Sequence, residues 1–161
     1  MEKTDLQQLT AFLGEANRAG YASGRNDLWQ KLPNGSTDIV FEKGPWLFND
    51  NYFGGEPFGG REVIFFDQQP VFLMVYYGRL SGPDLDADTV YAFMRRALQA
   101  FPADHPFRGP REWAEMVDGR ELRYENGWQG EIDDFSGEEK IFLDGQQVYA
   151  ARYAGGLICE R

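Results

Sequence analysis

The sequence predicts an α+β protein made of two α-β4 units in tandem, forming antiparallel sheet or sheets with two helices packed on one side in a pseudo-twofold arrangement. An internal repeat, a helical pattern ahead of each copy, and turn signals at matching places within the copies lead to this expectation. Residues 58–80 read FGGREVIFFDQQPVFLMVYYGRL and residues 135–157 read FSGEEKIFLDGQQVYAARYAGGL, which agree without a gap at 11 positions. Among these are Gly60/Gly137, Glu62/Glu139, Ile64/Ile141, Asp67/Asp144, Val71/Val148, Tyr76/Tyr153 and Gly78/Gly155. Chance would give about one or two identities, so the chain carries an internal repeat.

Upstream the match continues at an offset of 75, pairing Gly44 with Gly119, Leu47 with Leu122, Asn51 with Asn126, Phe53 with Trp128 and Gly55 with Gly130. The whole of residues 1–161 reads as a single domain of two repeats, about 4–80 and 86–158. The first helix opens with Thr4 and Gln7 in capping-box spacing and carries Leu6, Leu9, Phe12, Leu13 and Ala16 on one stripe. The second opens at Asp86 or Asp88, carries Val90, Phe93, Met94, Ala97, Leu98 and Phe101, and stops before Pro102.

Four strands follow each helix. Lys43-Gly44 and Asp118-Gly119 turn the first pair, and Asp144-Gly145 is a strong two-residue hairpin signal. Its counterpart is Asp67-Gln68, where a glycine is missing. Residues 19–36 and 102–111, rich in Gly, Pro and polar residues, read as surface crossings. One continuous sheet and two facing sheets both satisfy this pattern.

A two-residue hairpin at Asp67-Gln68 would pair Ile64 with Val71 and Glu62 with Leu73. Strict alternation then puts Glu62, Ile64, Phe66, Val71, Leu73, Val75 and Tyr77 on one face. The matching face of the second copy holds Glu139, Ile141, Leu143, Val148, Ala150, Arg152 and Ala154. This is the apolar face, expected beneath the helices. The other face takes Phe65, Phe72, Met74 and Tyr76, then Lys140, Phe142, Tyr149, Ala151 and Tyr153.

A glutamate on the apolar face of both copies is unexpected, because burying an unpaired charge is costly. Glu62 and Glu139 either reach water at strand ends or pair with a neighbour such as Arg152, or they enter a shared cavity and meet a cationic or hydroxyl-bearing ligand. The tyrosines Tyr76, Tyr77 and Tyr153 suit a pocket wall or the packing of two sheets. The changes from Tyr77 to Ala154 and from Leu73 to Ala150 would open space on one side of the seam. Arg108 and Arg111, held in Phe107-Arg108-Gly109-Pro110-Arg111, either fork onto a carboxylate or phosphate of a ligand or pair with surplus acids.

Catalytic and metal signatures are sparse. His105 is the single histidine and sits in a Pro-rich linker, where a surface role is expected over a metal site. Asp84, Asp86 and Asp88 resemble a calcium loop, but Thr89 stands where glycine is needed and Arg95 where glutamate is needed, so acids at a helix start explain them better. No nucleophile elbow, phosphate loop or dinucleotide fingerprint occurs. The single cysteine, Cys159, excludes an internal disulfide and reads as a small apolar residue. No cofactor and no catalytic residue is expected.

The net charge of −10 argues against direct nucleic-acid binding, which needs clustered Lys and Arg against phosphates. With 42% hydrophobic residues the chain can bury a core, yet no run of them suits a membrane span. No basic n-region or apolar h-region opens the sequence, so a cytoplasmic location is the expectation.

The motifs Tyr52-Phe53-Gly54-Gly55, Tyr76-Tyr77-Gly78, Phe107-Arg108-Gly109-Pro110 and Tyr153-x-Gly155-Gly156-Leu157-Ile158 occur in an order that resembles a bacterial family of domains of unknown function, over about residues 9–158. Its members occur as small standalone proteins and as C-terminal domains behind helix-turn-helix regulators. The resemblance transfers no catalytic residue and implies small-molecule sensing or assembly. This chain has too little sequence before residue 37 for a helix-turn-helix domain, so a DNA-linked role would need a partner. The leading functional expectation is non-enzymatic ligand binding at the seam between the repeats, around Glu62, Tyr76, Tyr77, Arg108, Arg111, Glu139, Arg152 and Tyr153. Its rival is an acidic module, of antitoxin or immunity type, that covers a basic protein partner.

Overall fold

The computed structural model describes residues 3–24, 27–81 and 86–159, with side chains from residue 5 onward. One nine-stranded antiparallel sheet, with helices α1 (Lys3–Ala19) and α2 (Ala87–Gln99) packed against it, makes the molecule an α+β protein. The strands are β1 (Trp29–Lys31), β2 (Thr37–Lys43), β3 (Trp46–Gly54), β4 (Phe58–Phe66), β5 (Gln69–Leu80), β6 (Glu112–Val117), β7 (Arg120–Glu131), β8 (Asp134–Leu143) and β9 (Gln146–Leu157). Their order across the sheet is β1-β2-β3-β4-β5-β9-β8-β7-β6. The sheet is therefore continuous, joined at its middle by β5 and β9. The first crossing is more structured than its composition suggests, because it holds a short 3₁₀ turn (Tyr21–Ser23) and the edge strand β1.

Each helix buries the stripe its periodicity marks. Leu9, Phe12, Leu13 and Ala16 of α1 pack on Phe48, Ile64, Phe72 and Met74, in a cluster that also takes Phe107, Phe135 and Tyr153 from the second half of the chain. Val90, Phe93, Met94, Ala97 and Leu98 of α2 pack on Leu122, Tyr124, Ile141, Val148, Tyr149 and Ala151. Asp86 caps α2 by accepting the Asp88 N–H at 3.2 Å, which gives that acid a structural task. Asp84 and the Thr4 side chain lie outside the described residues.

The face assignment needs correction from the bulges inward. Phe66 pairs with Gln69 as the hairpin requires, but the ladder shifts between Ile64 and Phe65, so that Ile64 faces Phe72 and Glu62 faces Met74. Val71 is the extra residue. The same shift occurs between Ile141 and Phe142, where Val148 is extra and Ile141 faces Tyr149. One unpaired residue reverses the alternation beyond it. Phe72, Met74, Tyr76, Tyr149, Ala151 and Tyr153 thus share the helix-covered face with Glu62 and Glu139, whereas Val75, Tyr77 and Arg152 turn to the other face and are exposed. The differences at Tyr77/Ala154 and Leu73/Ala150 fall away from the seam's interior and open no space there.

The offset of 75 upstream also shifts by one in the sheet. Asp50 stands directly across from Glu62, and Asn126 directly across from Glu139. Asp50, not Asn51, therefore occupies the place that Asn126 holds. Gly54 and Gly130 both carry positive φ, 83° and 86°, at the next turn, where an added Cβ would meet carbonyl oxygens of Pro57 and Asp134 at 2.2 and 2.0 Å.

Candidate functional site

Gly60 pairs with Tyr76 across β4 and β5, and Gly137 pairs with Tyr153 across β8 and β9. With no side chain on the glycine, each ring folds over its neighbour strand: a Cβ on Gly60 would lie 2.7 Å from the Tyr76 hydroxyl, and one on Gly137 would lie 2.3 Å from that of Tyr153. The hydroxyls then reach one strand further. Tyr76 donates to Asp50 Oδ1 at 2.5 Å, and Tyr153 donates to Asn126 Oδ1 at 2.8 Å.

Around the second glutamate every acceptor position is used. Glu139 accepts Arg108 Nη2 (2.6 Å) and Tyr149 Oη (2.8 Å) on Oε1, and Arg108 Nε (3.1 Å) and Tyr124 Oη (2.6 Å) on Oε2. A carboxylate has about four lone-pair sites, so this one is saturated. Tyr124 Oη also accepts the Gly109 N–H at 3.0 Å, and Asn126 donates to the Gly109 carbonyl at 2.9 Å, so the Arg108-Gly109 linker is clipped onto β7. Burial, the largest single influence, would lower the Arg108 pKa, but the Glu139 charge and its hydrogen bonds, with Tyr149 and Tyr124, together outweigh it and hold the guanidinium firmly protonated. Burial, and then the same negative charge, push the Tyr124 and Tyr149 hydroxyls well above the ordinary phenol range.

The first glutamate has no such set. Glu62 is 4% exposed, and its Oε2 is buried with no hydrogen-bond partner. Burial, followed by the charge of Asp50, holds its carboxyl well above the carboxylate range, against the opposing pull of Arg108. Asp50 is pushed up to about 6, first by burial, while the Tyr76 hydroxyl and Arg108 draw it down.

Glu62 and Asp50 lie at a cavity of about 320 Å³ bounded by β1, β3–β5, the 3₁₀ turn, α2 and the linker after it. Tyr76, Phe48 and Arg108 share the wall with them, and Trp29, Tyr21, Tyr52, Phe58 and Tyr91 supply aromatic surface. Trp29 Nε1 is the other buried side-chain polar atom without a partner among the described residues, and the Trp29 side chain belongs to this same cavity's lining. Lys31, Asp88 and Arg95 are also on the wall, and Tyr91 ties α2 to the β3–β4 turn by donating to Glu56.

Of the residues expected at the seam, Glu62, Tyr76 and Arg108 therefore meet at one cavity. Glu139 lies behind Arg108 and partners it, in place of the Arg152 considered from sequence. Tyr153 is buried on Asn126, Arg111 lies 3.7 Å over the Trp128 ring, and Tyr77 and Arg152 occupy the far face. Trp29 and Tyr91 have no counterpart between the two stretches of similar sequence, and the offset of 75 matches Asp50 with Glu125, whereas the sheet gives it the place of Asn126.

His105 packs on Trp128 and lies 3.2 Å from Glu131 and 3.4 Å from Asp104. Among the described residues no group of three or more His, Cys, Asp or Glu side chains is placed to hold a metal ion, and no helix is long and apolar enough to cross a membrane. Cys159 is exposed and packs in no core.

The chain matches no curated protein and no solved structure. A family profile described as a domain of unknown function matches residues 50–158, a span that begins at Asp50 and includes Glu62, Tyr76, Arg108 and Glu139. The chain belongs to that family, DUF5680.

Proposed function

We propose that the protein is a non-enzymatic binding or sensing domain for a small molecule, and that the cavity walled by Asp50, Glu62, Tyr76 and Trp29 is its site. The observation that carries this reading is that Glu62 and Trp29, the two residues with a buried side-chain polar atom left unpartnered among the described residues, both line one aromatic cavity. Native structures leave few buried polar groups unpaired, and each such group costs about 1–3 kcal/mol. A ligand offering a donor to Glu62 and an acceptor or π-face to Trp29 offsets both costs while covering apolar wall.

The two halves are, in this reading, diverged copies of one α-β4 unit about an approximate twofold axis, with the second copy sealed. Its glutamate is saturated by Arg108, Tyr124 and Tyr149, whereas Phe48 and Phe72 stand opposite Ile64 where Tyr124 and Tyr149 stand opposite Ile141. Replacing both tyrosines by phenylalanine removes two donors and leaves Glu62 for an external partner. The rival reading, an acidic module covering a basic protein, rests on the net charge of −10 alone.

A panel of ring-bearing fragments in cationic, neutral and anionic forms tests the cavity. Binders are expected to raise the melting temperature and to move the Trp29 indole N–H resonance, assigned with a Trp29→Phe variant. Filling the cavity with Leu98→Trp or Ala22→Leu should remove the effect. Binders that leave the Trp29 resonance in place, or bind the filled variants equally well, would refute the assignment.

A further inference from the structure

We infer that the molecule taken by this cavity is an organic cation, an ammonium or amidinium group on an apolar, ring-bearing body. The inference rests on the cavity being a binding site and names the chemistry of its occupant.

The first argument is a count of charge. Asp50, Glu62 and Glu139 gather around one guanidinium, that of Arg108, and Glu139 engages it through both Nε and Nη2. Arg108 makes its ion pair with the second glutamate, and among the described residues no cation makes one with the first, although Lys31 and Arg95 line the same cavity. A buried carboxylate without a counter-charge is costly, and an ion pair with good hydrogen bonds is the form in which such groups persist. The second argument is geometry. Asp50 and Glu62 are direct cross-strand neighbours, so a single ammonium inserted between β3 and α2 can meet both carboxyls. The third is the wall. Trp29, Tyr52, Phe58 and Tyr91 line the cavity, and aromatic rings attract a cation over an anion or a neutral alcohol wherever it meets their faces.

Every titratable group near Glu62 bears on the acid–base consequence. Asp50 faces it from β3 and Tyr76 from β5; Arg108 faces it from the linker, with Glu139 of β8 behind. Asp88, Tyr91 and Arg95 of α2 and Tyr21, Lys31 and Tyr52 complete the wall. Arg108 is already spoken for by Glu139. The empty cavity keeps its carboxyl pair partly protonated, because burial and mutual repulsion disfavour two negative charges there. An ammonium that enters keeps its own protons, and the carboxyl proton leaves to solvent, so cation binding is coupled to proton release. Affinity for the cation should accordingly weaken as pH falls through the carboxyl range.

The test uses three probes on one apolar body: naphthalen-2-ylmethylamine as the cation, naphthalen-2-ylmethanol as its neutral analogue, and 2-naphthoate as the anion. Each is titrated calorimetrically into the full chain at neutral pH, in two buffers of different ionisation enthalpy, with the Trp29 resonance as the reporter of place. The amine is expected to bind about tenfold or more tighter than the alcohol, with 2-naphthoate weakest. Net proton release should accompany the amine, growing as pH is lowered toward the carboxyl range, and none should accompany the alcohol. Glu62→Gln should weaken the amine about tenfold, keep the alcohol within about threefold, and abolish proton release. An alcohol that binds as tightly as the amine while moving the Trp29 resonance would overturn the cation and keep the cavity. A naphthoate that binds tightest would do the same. If none of the three moves that resonance, the cavity reading itself falls and takes the inference with it.

Discussion

Asp50 and Asn126 differ by one polar group and hold corresponding places opposite Glu62 and Glu139. Both accept a tyrosine hydroxyl, from Tyr76 and Tyr153, and both face a glutamate across a strand pair. Asn126 adds no charge to the neighbourhood of Glu139. Asp50 adds one beside Glu62, and burial lifts its pKa from 3.8 to about 6. A raised folded pKa means that the native state favours the protonated acid, so the associated stability is complete below the ordinary carboxylate range and is lost as pH rises through about 6. Asp50→Asn keeps the acceptor for Tyr76 and removes that loss. The variant should be more stable than the parent by about 1–3 kcal/mol at about pH 8 and nearly equal to it at about pH 4, read from urea unfolding at both values. Equal gains at the two pH values would mean that the charge of Asp50 is not what the fold resists. A residue that costs stability and lines a cavity is a residue retained for binding in the reading advanced above.

At the scale of elements, the hairpins and the bulges contrast in how well the chain announces them. The β8–β9 turn, Asp144-Gly145, has φ of 49° and 82°, and the β4–β5 turn, Asp67-Gln68, has 46° and 67°. Both are two-residue turns with positive φ at both positions, the geometry that matches strand twist. Gln68 accepts a left-handed conformation that glycine would adopt without a Cβ penalty. Gln68→Gly should therefore stabilise the protein by about 0.5–1 kcal/mol, seen as a higher urea midpoint at unchanged slope. A drop in the midpoint would show that the lost side chain, or the added freedom of the unfolded chain, outweighs the turn geometry. The bulges at Val71 and Val148 give no comparable signal, because Phe72-Leu73-Met74-Val75-Tyr76-Tyr77 is apolar or aromatic on both phases of the alternation. Nothing in such a run tells a reader of the sequence that the phase has changed. The bulges are what bring Tyr76 and Tyr153 under the helices beside the glutamates, so the composition of the site depended on them.

At the scale of the whole molecule, the first and second halves of the chain pack into each other. Phe135 of β8 stacks on Phe107 at 3.8 Å and lies 5.9 Å from Phe72 of β5, within the cluster that α1 covers. β5 and β9 pair along nine residue pairs, from Phe72 with Leu157 to Leu80 with Tyr149. The cavity is closed over strands of the first half by α2 of the second. Neither half can lose its structure without exposing apolar surface of the other. Calorimetric unfolding should accordingly give a single transition with equal calorimetric and van't Hoff enthalpies. Two resolved transitions would show that the halves fold as separate units.

Although it did not determine the edge strand β1, the sequence alone determined the α+β class, the two helices with their buried stripes, the four strands that follow α2 and the paired glutamates. These are local matters: periodicity, capping and turn chemistry act over a few residues and are written directly in the chain. Only the tertiary structure decided that the sheet is continuous, which face each tyrosine takes, that Arg108 closes on Glu139 across 31 positions, and that Asp50 and Trp29 join Glu62 at a cavity. Register beyond a bulge and the choice of a buried counter-ion depend on which distant groups remain unpaired once the strands have met. That balance of desolvation against pairing does not exist until the fold is complete.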